Sequence, residues 1–366
     1  MRVGRALGAL LIAGTLMGAA EAPKGVPDSF FRLRAATKLI GKSPEWDYLA
    51  YDPARGLLMI GRRNEGLTVF DTRTRAVRTR VAQTEGAGAV LLIPGIRRGF
   101  TTNEDGSTTV FDLTSFAPIR RVKFADDADS GVYDAVTGQI AFMSGDSKHI
   151  TFINAKSLAT TGKLAMQSTK LEGAAADGVG GLYLAERDRN MLAHIDMRTR
   201  RVLHEWPTTR CVQPTGLAMD KARRRVMLGC RGTAPVLAVM DMDDGHVVQT
   251  LPLGRGNDGL VFNQGRVFAT NGVEANLTIY RQIDADHYRL EQAVATRPGA
   301  RTLALDMAGE RVFTVTAEGV VDPAKPIIVG HPNFTRMRSW TIVSSSSNMV
   351  REKHSSCLRR MCSGCV

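Results

Sequence analysis

The chain has 366 residues, a hydrophobic fraction of 43%, a mean hydropathy of −0.11 and a formal net charge of +12. This share of apolar residues excludes an intrinsically disordered chain and a bundle of membrane-spanning segments. The 36 glycines, roughly one residue in ten, exceed the usual ~7% and indicate a fold with many tight turns.

The N-terminus has the pattern of a signal peptide. Arg2 and Arg5 form a short basic region, and an uncharged apolar stretch over residues 6–20 follows them. We expect residues 1–20 to be removed by cleavage after Ala20, because a cut two residues later would place Pro23 directly after it. No other window approaches 18 consecutive apolar residues, so the mature protein is expected to be soluble, periplasmic or secreted, without a transmembrane segment.

The positive charge is spread along residues 21–345 once the predicted signal and the basic last 21 residues are set aside. A basic body favours anionic partners such as nucleic acid, lipid headgroups, acidic sugars or acidic proteins. The alternative is that the charge serves solubility alone.

Internal repetition is the strongest feature of the sequence. Short apolar segments that end in Asp or Asn recur at Asp52, Asp134, Asp177, Asp220, Asn263 and Asp306, and the last five are each 43 residues apart. A second series of Phe or Ile followed by Asp or Asn runs in phase with the first at Phe70-Asp71, Phe111-Asp112, Ile153-Asn154 and Ile195-Asp196. Each unit is therefore predicted to contain four short strands with Asp-containing turns, which is the period of a β-propeller blade.

Seven such units begin at about residues 48, 89, 131, 173, 216, 259 and 302. The sequence thus predicts an all-β, seven-bladed propeller over residues 30–345. In the last unit, a long loop separates the first two strands from Trp340–Val343. The segment Phe31–Ala36 is expected to supply the missing outer strand, so that the propeller is closed by an N-terminal strand and exposed sheet edges are removed.

Three segments, Trp46–Asp52, Cys211–Asp220 and Leu253–Gly259, resemble the YncE-like, YVTN-repeat family of exported bacterial β-propellers. The resemblance covers roughly residues 30 to 345. It implies a seven-bladed periplasmic or secreted protein without a settled enzymatic role, in a family of which some members are reported to bind DNA. The chain departs from the family after Ser344–Ser347, and residues 346–366 are expected to form a disordered, basic, cysteine-containing tail.

The five cysteines fall into two groups. Cys211 precedes the first strand of the fifth unit and Cys230 follows its second strand, so adjacent antiparallel strands would bring them together as a disulfide in an oxidising compartment. The alternative is two independent thiols. Cys357, Cys362 and Cys365 lie in the tail. They do not predict a metal or haem site, because only one closely spaced pair exists and no His follows it.

Propeller ligands usually occupy the mouth of the central channel. The loops that enter each inner strand or follow each second strand supply Trp46, Arg62, Arg63, Glu172, Arg187, Arg210, Arg231, Arg255, Asn257, Asp258, Asn271 and Arg301. Arginine recurs in most units, and its planar guanidinium suits carboxylates and phosphates. We therefore predict a mouth that binds anions. The alternative is that these arginines are solvated loop charges paired with Asp or Glu.

Few residues suggest catalysis. The seven histidines have no metal-ligand spacing, and no G-x-S-x-G motif is present. Sugar-lactone hydrolases on a related fold hold a divalent cation with Glu, Asn and Asp at the channel mouth, and Glu172, Asn257, Asp258 and Asn271 are of suitable type. The sequence favours a monomeric, non-catalytic binding module without a cofactor, for an anionic ligand, protein or nucleic acid. The metal-dependent hydrolase is the alternative.

Overall fold

The computed structural model describes residues 31–41, 45–124, 127–306, 308, 311–321, 324 and 334–347. The predicted signal peptide and the cysteines at 357, 362 and 365 lie outside these ranges. The predicted tail lies outside them as well, except that the last strand reaches Ser347. The described residues form 28 β-strands and one short 3-10 helix (Pro94–Ile96).

Six blades each consist of four consecutive antiparallel strands. Blade I comprises β2 (Leu49–Asp52), β3 (Leu57–Gly61), β4 (Leu67–Asp71) and β5 (Ala76–Val81); blade II comprises β6 (Ala87–Ile93), β7 (Arg98–Asn103), β8 (Ser107–Asp112) and β9 (Pro118–Lys123). Blade III comprises β10 (Ala128–Asp134), β11 (Gln139–Ser144), β12 (His149–Asn154) and β13 (Thr160–Ala165); blade IV comprises β14 (Leu171–Ala176), β15 (Gly181–Glu186), β16 (Met191–Asp196) and β17 (Arg201–Pro207). Blade V comprises β18 (Pro214–Asp220), β19 (Arg225–Cys230), β20 (Val236–Asp241) and β21 (Val247–Pro252); blade VI comprises β22 (Asn257–Asn263), β23 (Arg266–Asn271), β24 (Asn276–Gln282) and β25 (Tyr288–Ala295).

One further four-stranded sheet joins the two ends of the described chain. We call it the composite sheet; its strand order is β1 (Phe31–Leu39), β28 (Phe334–Ser347), β27 (Arg311–Val321) and β26 (Leu303–Leu305). The innermost strands, β26, β2, β6, β10, β14, β18 and β22, contact one another in this order and close the ring.

The strand order corrects the predicted count of seven blades. Six blades are consecutive repeats, whereas the composite sheet is not a repeat blade: its inner strand has three residues and its outer strand comes from the other end of the chain. The apolar segment before Asp306 resembles the start of a further repeat. The local sequence pattern gives no information on which strands, distant in the sequence, will pair with it. The predicted N-terminal outer strand is confirmed, and it extends from Phe31 to Leu39 along β28.

Side-chain turns explain the acidic residues of the repeat. At the end of β8, Asp112 Oδ1 accepts hydrogen bonds from the backbone N–H groups of Thr114 and Ser115, both at 2.8 Å. The same bonds lower the pKa of Asp112 to about 2. Asn154 accepts the equivalent pair at the end of β12. These bonds reverse the chain from the third strand of a blade into the fourth.

The core lies between neighbouring blades, where their central strands pack face to face. Leu182 and Leu184 of β15 are fully buried and pack with Ala141 and Met143 of β11. All five residues of β3 are likewise buried. Burying one leucine side chain contributes about 1.5–3 kcal/mol, so each blade is stabilised by the neighbours that cover its two faces.

Candidate functional site

A cavity of about 680 Å³ lies at the end of the channel where the chain enters the inner strands. The charged residues that line it are the arginines Arg63, Arg187, Arg231, Arg255 and Arg301 and the carboxylates Asp47, Asp129, Glu172 and Asp258. We call this cavity the mouth. A smaller space of about 190 Å³ adjoins it and shares Tyr48, Ser130, Glu172 and Asp258 with the mouth.

Seven of the twelve predicted site residues line the mouth, namely Arg63, Glu172, Arg187, Arg231, Arg255, Asp258 and Arg301. Arg210 is exposed on the loop before β18. Trp46 and Arg62 are buried, and Arg62 Nη2 donates a hydrogen bond to the carbonyl oxygen of Ile40 at 3.1 Å.

Asn257 and Asn271 are buried within blade VI rather than at the mouth surface. Asn257 Nδ2 donates to the carbonyl oxygen of Thr270 at 2.9 Å, and Asn271 Nδ2 donates to Thr278 Oγ1 at 2.9 Å. Asn257 also packs on Gly229, where an added Cβ would lie 1.8 Å from its Oδ1. Asn257 therefore serves the packing of blade VI against blade V, and Asn271 serves the interior of blade VI.

Sequence reasoning missed Asp47 and Asp129, yet the repeat contains a signal for them. Asp47, Asp129, Glu172 and Asp258 each stand five residues before a repeated Asp or Asn, and Arg301 has the same position before Asp306. The mouth carboxylates therefore occupy one equivalent position at the entry to the inner strand. Applying the same five-residue offset to Asp52 and Asp134 would have identified the two missing acids.

Ion pairs connect four of the five mouth arginines to these carboxylates, whereas Arg255 is exposed and pairs with Glu274. Asp258 accepts from Arg231 and from Arg301, both at 2.6 Å, and Glu172 accepts from Arg187 at 2.7 Å. Asp47 pairs with Arg63 and lies 3.8 Å from Arg301. The mouth is thus a network of alternating charges in which the arginine side chains are held in place.

Arg301 joins three sheets at the mouth. Its side chain is 8% exposed, and its guanidinium lies over the Trp46 ring, 5.1 Å from the ring centroid. It donates to the carbonyl oxygen of Trp46 at 2.9 Å while pairing with Asp258 of blade VI. The loop entering blade I, the loop entering the composite sheet and the start of blade VI are therefore connected through one buried charge.

Two mouth carboxyl groups have pKa values near neutrality. Burial raises the pKa of Glu172 to about 7, although Arg187 acts in the opposite direction. Removal from bulk water, together with the charge of Asp47, raises the pKa of Asp129 to about 6, although part of the side chain stays exposed in the cavity. Five arginines therefore line the mouth together with four carboxyl groups, and two of these, Glu172 and Asp129, take up a proton near neutral pH.

The disulfide prediction is confirmed. Cys211 and Cys230 are bonded, with their Cα atoms 5.2 Å apart, and both side chains are buried. The bond ties the loop before β18 to the end of β19. The neighbouring residues Gln213 and Arg231 line the mouth, so the disulfide helps to position this side of it.

The residues proposed for a lactonase cation do not fit that role. Glu172 and Asp258 already accept ion pairs from arginines, whose positive charge opposes a bound cation. Asn257 and Asn271 are used inside blade VI. In the described part of the chain, the grouping suited to a metal is Asp241, Asp244 and His246, which lies at the β20–β21 turn and not at the mouth.

Solved structures identify the fold. The WD40 repeats of RRP9 match with a TM-score of 0.70 at 9% identity, covering 86% of this chain and 100% of that one. A chain of the mitotic checkpoint complex matches with a TM-score of 0.66 at 14% identity, covering 83% and 95%. A chain of hydrazine synthase from Kuenenia stuttgartiensis matches with a TM-score of 0.62 at 14% identity, covering 75% and 94%.

The chain has the β-propeller fold. At these identities the similarity extends to the fold alone. No protein-family model and no curated protein matches the sequence. Within the described ranges, no helix has the length and hydrophobicity needed to cross a bilayer.

Proposed function

We propose that the protein is a non-catalytic binding module whose mouth binds a small anion through a carboxylate, phosphate or sulfate group. The mouth network supports this: five arginines, four of them held by ion pairs with mouth carboxylates, line a cavity whose size suits a small molecule. Two of those carboxyl groups take up protons near neutral pH. When Glu172 is protonated, Arg187 loses its charged partner. Its guanidinium can then donate to an anionic ligand instead.

Binding of sulfate and citrate, used as probes, tests this proposal. Isothermal titration at pH 6 should detect both anions, and replacing Arg187→Ala together with Arg231→Ala should weaken binding at least about tenfold, since each charge-assisted hydrogen bond contributes roughly 1.5–3 kcal/mol. A variant with Arg198→Ala and Arg289→Ala loses the same charge away from the mouth and should bind as the parent does. Equal loss in both variants, or no binding of either probe, would contradict the proposal.

We further propose that the protein acts in the periplasm or outside the cell. The buried Cys211–Cys230 disulfide supports this, because such bonds persist in oxidising compartments. The basic, apolar and small-residue order of residues 1–20 supports it independently. Membership of the YncE-like family is also a proposal, and the propeller fold agrees with it.

A further inference from the structure

The outer strands of four neighbouring sheets carry positive charge without any acidic residue. These strands are β1, β5, β9 and β13, and we call their outward surface the cationic arc. Its nine cations are Arg32, Arg34, Lys38, Arg78, Arg80, Arg120, Arg121, Lys123 and Lys163. The composite sheet and blades I, II and III follow one another around the ring, so the arc comprises the outer strands of four of its seven sheets.

The other three outer strands differ. β17 contains Arg201 and Glu205, β21 contains no Asp, Glu, Lys or Arg, and β25 contains Arg289 and Glu291. Charged residues on an edge strand often serve to prevent edge-to-edge aggregation. That role would apply equally to all outer strands, so it does not explain why the cations are confined to one arc.

Four of the cations are exposed and available, one on each sheet of the arc. Lys38, Arg78, Arg120 and Lys163 are exposed, and among the described residues no carboxylate forms an ion pair with them. The Arg78 guanidinium also lies over the Phe116 ring, 5.7 Å from its centroid. By contrast, Arg121 of the arc already pairs with two carboxylates. The available cations are thus distributed around the rim rather than gathered in one pocket.

We propose that the cationic arc binds a flexible acidic polysaccharide that follows the rim of the propeller. The rim is convex, so a flat anionic membrane or a stiff duplex touches it along one blade, whereas a flexible polymer can contact all four. Proteins that bind single-stranded nucleic acid stack bases on exposed aromatic rings. The strands of the arc carry none, since their single aromatic residue, Phe31, is buried. This site is separate from the mouth and goes beyond the function proposed for it.

Binding of polygalacturonate, with digalacturonate as the short probe, tests the polysaccharide site. We expect the polymer to bind at low ionic strength and to weaken steeply with added salt. In the variant with Arg187→Ala and Arg231→Ala, whose mouth no longer competes for the carboxylates of the probe, the polymer should bind far more tightly than the dimer, which reaches only one blade. Replacing Arg78→Gln, Arg120→Gln and Lys163→Gln should weaken polymer binding at least about tenfold and reduce its salt dependence, because three ionic contacts are lost.

A control variant with Arg198→Gln, Arg201→Gln and Arg289→Gln loses the same charge outside the arc and should keep parental affinity. All these side chains are exposed, so thermal melting should confirm that both triple variants fold. Equal loss in the two variants would overturn the proposal, because net charge alone would then explain binding. Tighter binding of oligothymidylate or of phosphatidylglycerol vesicles at equal charge, lost in the arc variant, would also overturn it in favour of those partners.

The two sites are distinguishable. The variant with Arg187→Ala and Arg231→Ala should retain polygalacturonate binding, and the arc variant should retain sulfate binding. If sulfate does not bind at the mouth, the polysaccharide proposal still stands, and if polygalacturonate does not bind at the arc, the mouth proposal still stands.

Discussion

Glu172 is the mouth residue whose ionisation changes nearest to physiological pH. Its carboxyl group is mostly buried beside Arg187, and burial raises its pKa to about 7. A carboxyl group with a raised pKa binds a proton in the folded protein that it does not hold when unfolded. Its contribution to the free energy of unfolding is therefore present at low pH and declines as pH rises from about 4.5 towards 7.

The same ionisation should make anion binding depend on pH. Sulfate keeps its charge between pH 5.5 and 8, so any change in its affinity across this range reports on the protein. We expect sulfate to bind more tightly as pH falls, because protonation of Glu172 and Asp129 leaves the mouth arginines with less opposing charge. Titration calorimetry of the parent and of Glu172→Gln measures this. The variant should bind sulfate more tightly than the parent at pH 8 and should keep only the part of the pH dependence that Asp129 contributes. An unchanged pH profile would contradict the role of Glu172.

The position five residues before each repeated Asp or Asn carries side chains of different charge in different sheets. It holds Asp in three places, Glu in blade IV and Arg at the entry to the composite sheet. Because that arginine is Arg301, it can pair with the acids on both sides of it, Asp258 and Asp47. An acid at position 301 would have placed like charges side by side.

Among the individual strands, β1 is the one that joins the N-terminal end of the described chain to the ring. Its first residue, Phe31, is 3% exposed and meets the ring of Phe268 edge-on, with centroids 5.2 Å apart. The side chain of Gln292 donates to the Phe31 carbonyl oxygen at 2.7 Å and accepts from its backbone N–H at 2.9 Å. These contacts attach β1 to blade VI as well as to β28.

Substitution of Phe31→Ala should therefore lower the free energy of unfolding by about 3–5 kcal/mol, the usual cost of emptying a buried phenylalanine site. Leu33 provides a control in the same strand, because its side chain is 52% exposed and Leu33→Ala should cost less than about 1 kcal/mol. Urea denaturation of both variants measures the difference. Similar midpoints for the two would show that β1 does not close the ring through Phe31.

The repeat of about 43 residues made the strands of blades I to VI predictable. Each hairpin within a blade is formed by segments that follow one another directly in the sequence. The disulfide was predictable for the same reason, since Cys211 and Cys230 flank adjacent strands. The blade count was not predictable, because the segment before Asp306 matches the repeat locally, whereas the three-residue β26 and the long β27 and β28 depart from the strand lengths of the six blades. The burial of Arg62 and Asn257 could not be predicted from the sequence, because the sequence pattern assigns both residues to loops.

At the scale of the whole molecule, the disulfide connects stability to the compartment. It closes a loop with a sequence separation of 19 residues, a length for which such bonds typically contribute 2–4 kcal/mol. A chain lacking residues 1–20 should remain in the reducing cytoplasm with free thiols at Cys211 and Cys230. We expect it to unfold at a lower urea concentration than the exported protein.

Thiol labelling of the two preparations, followed by urea denaturation, measures this. The double variant Cys211→Ser and Cys230→Ser, exported normally, is the control and should match the reduced chain in stability. Free thiols at these positions in the protein recovered from the periplasm or medium would contradict the export proposal.

The sequence alone determined the propeller architecture of this protein, the turns of its blades and its disulfide. Each depends on contacts between residues close together in the chain, and these contacts repeat with a constant period. Only the tertiary structure decided that six blades follow the repeat while the composite sheet does not, and that Arg301 pairs with Asp258 of blade VI and lies 3.8 Å from Asp47 at the entry to blade I. It also gathered the cations of four outer strands into one arc. These features require the ring to be closed, because closure brings together residues that lie from about 40 to more than 250 positions apart.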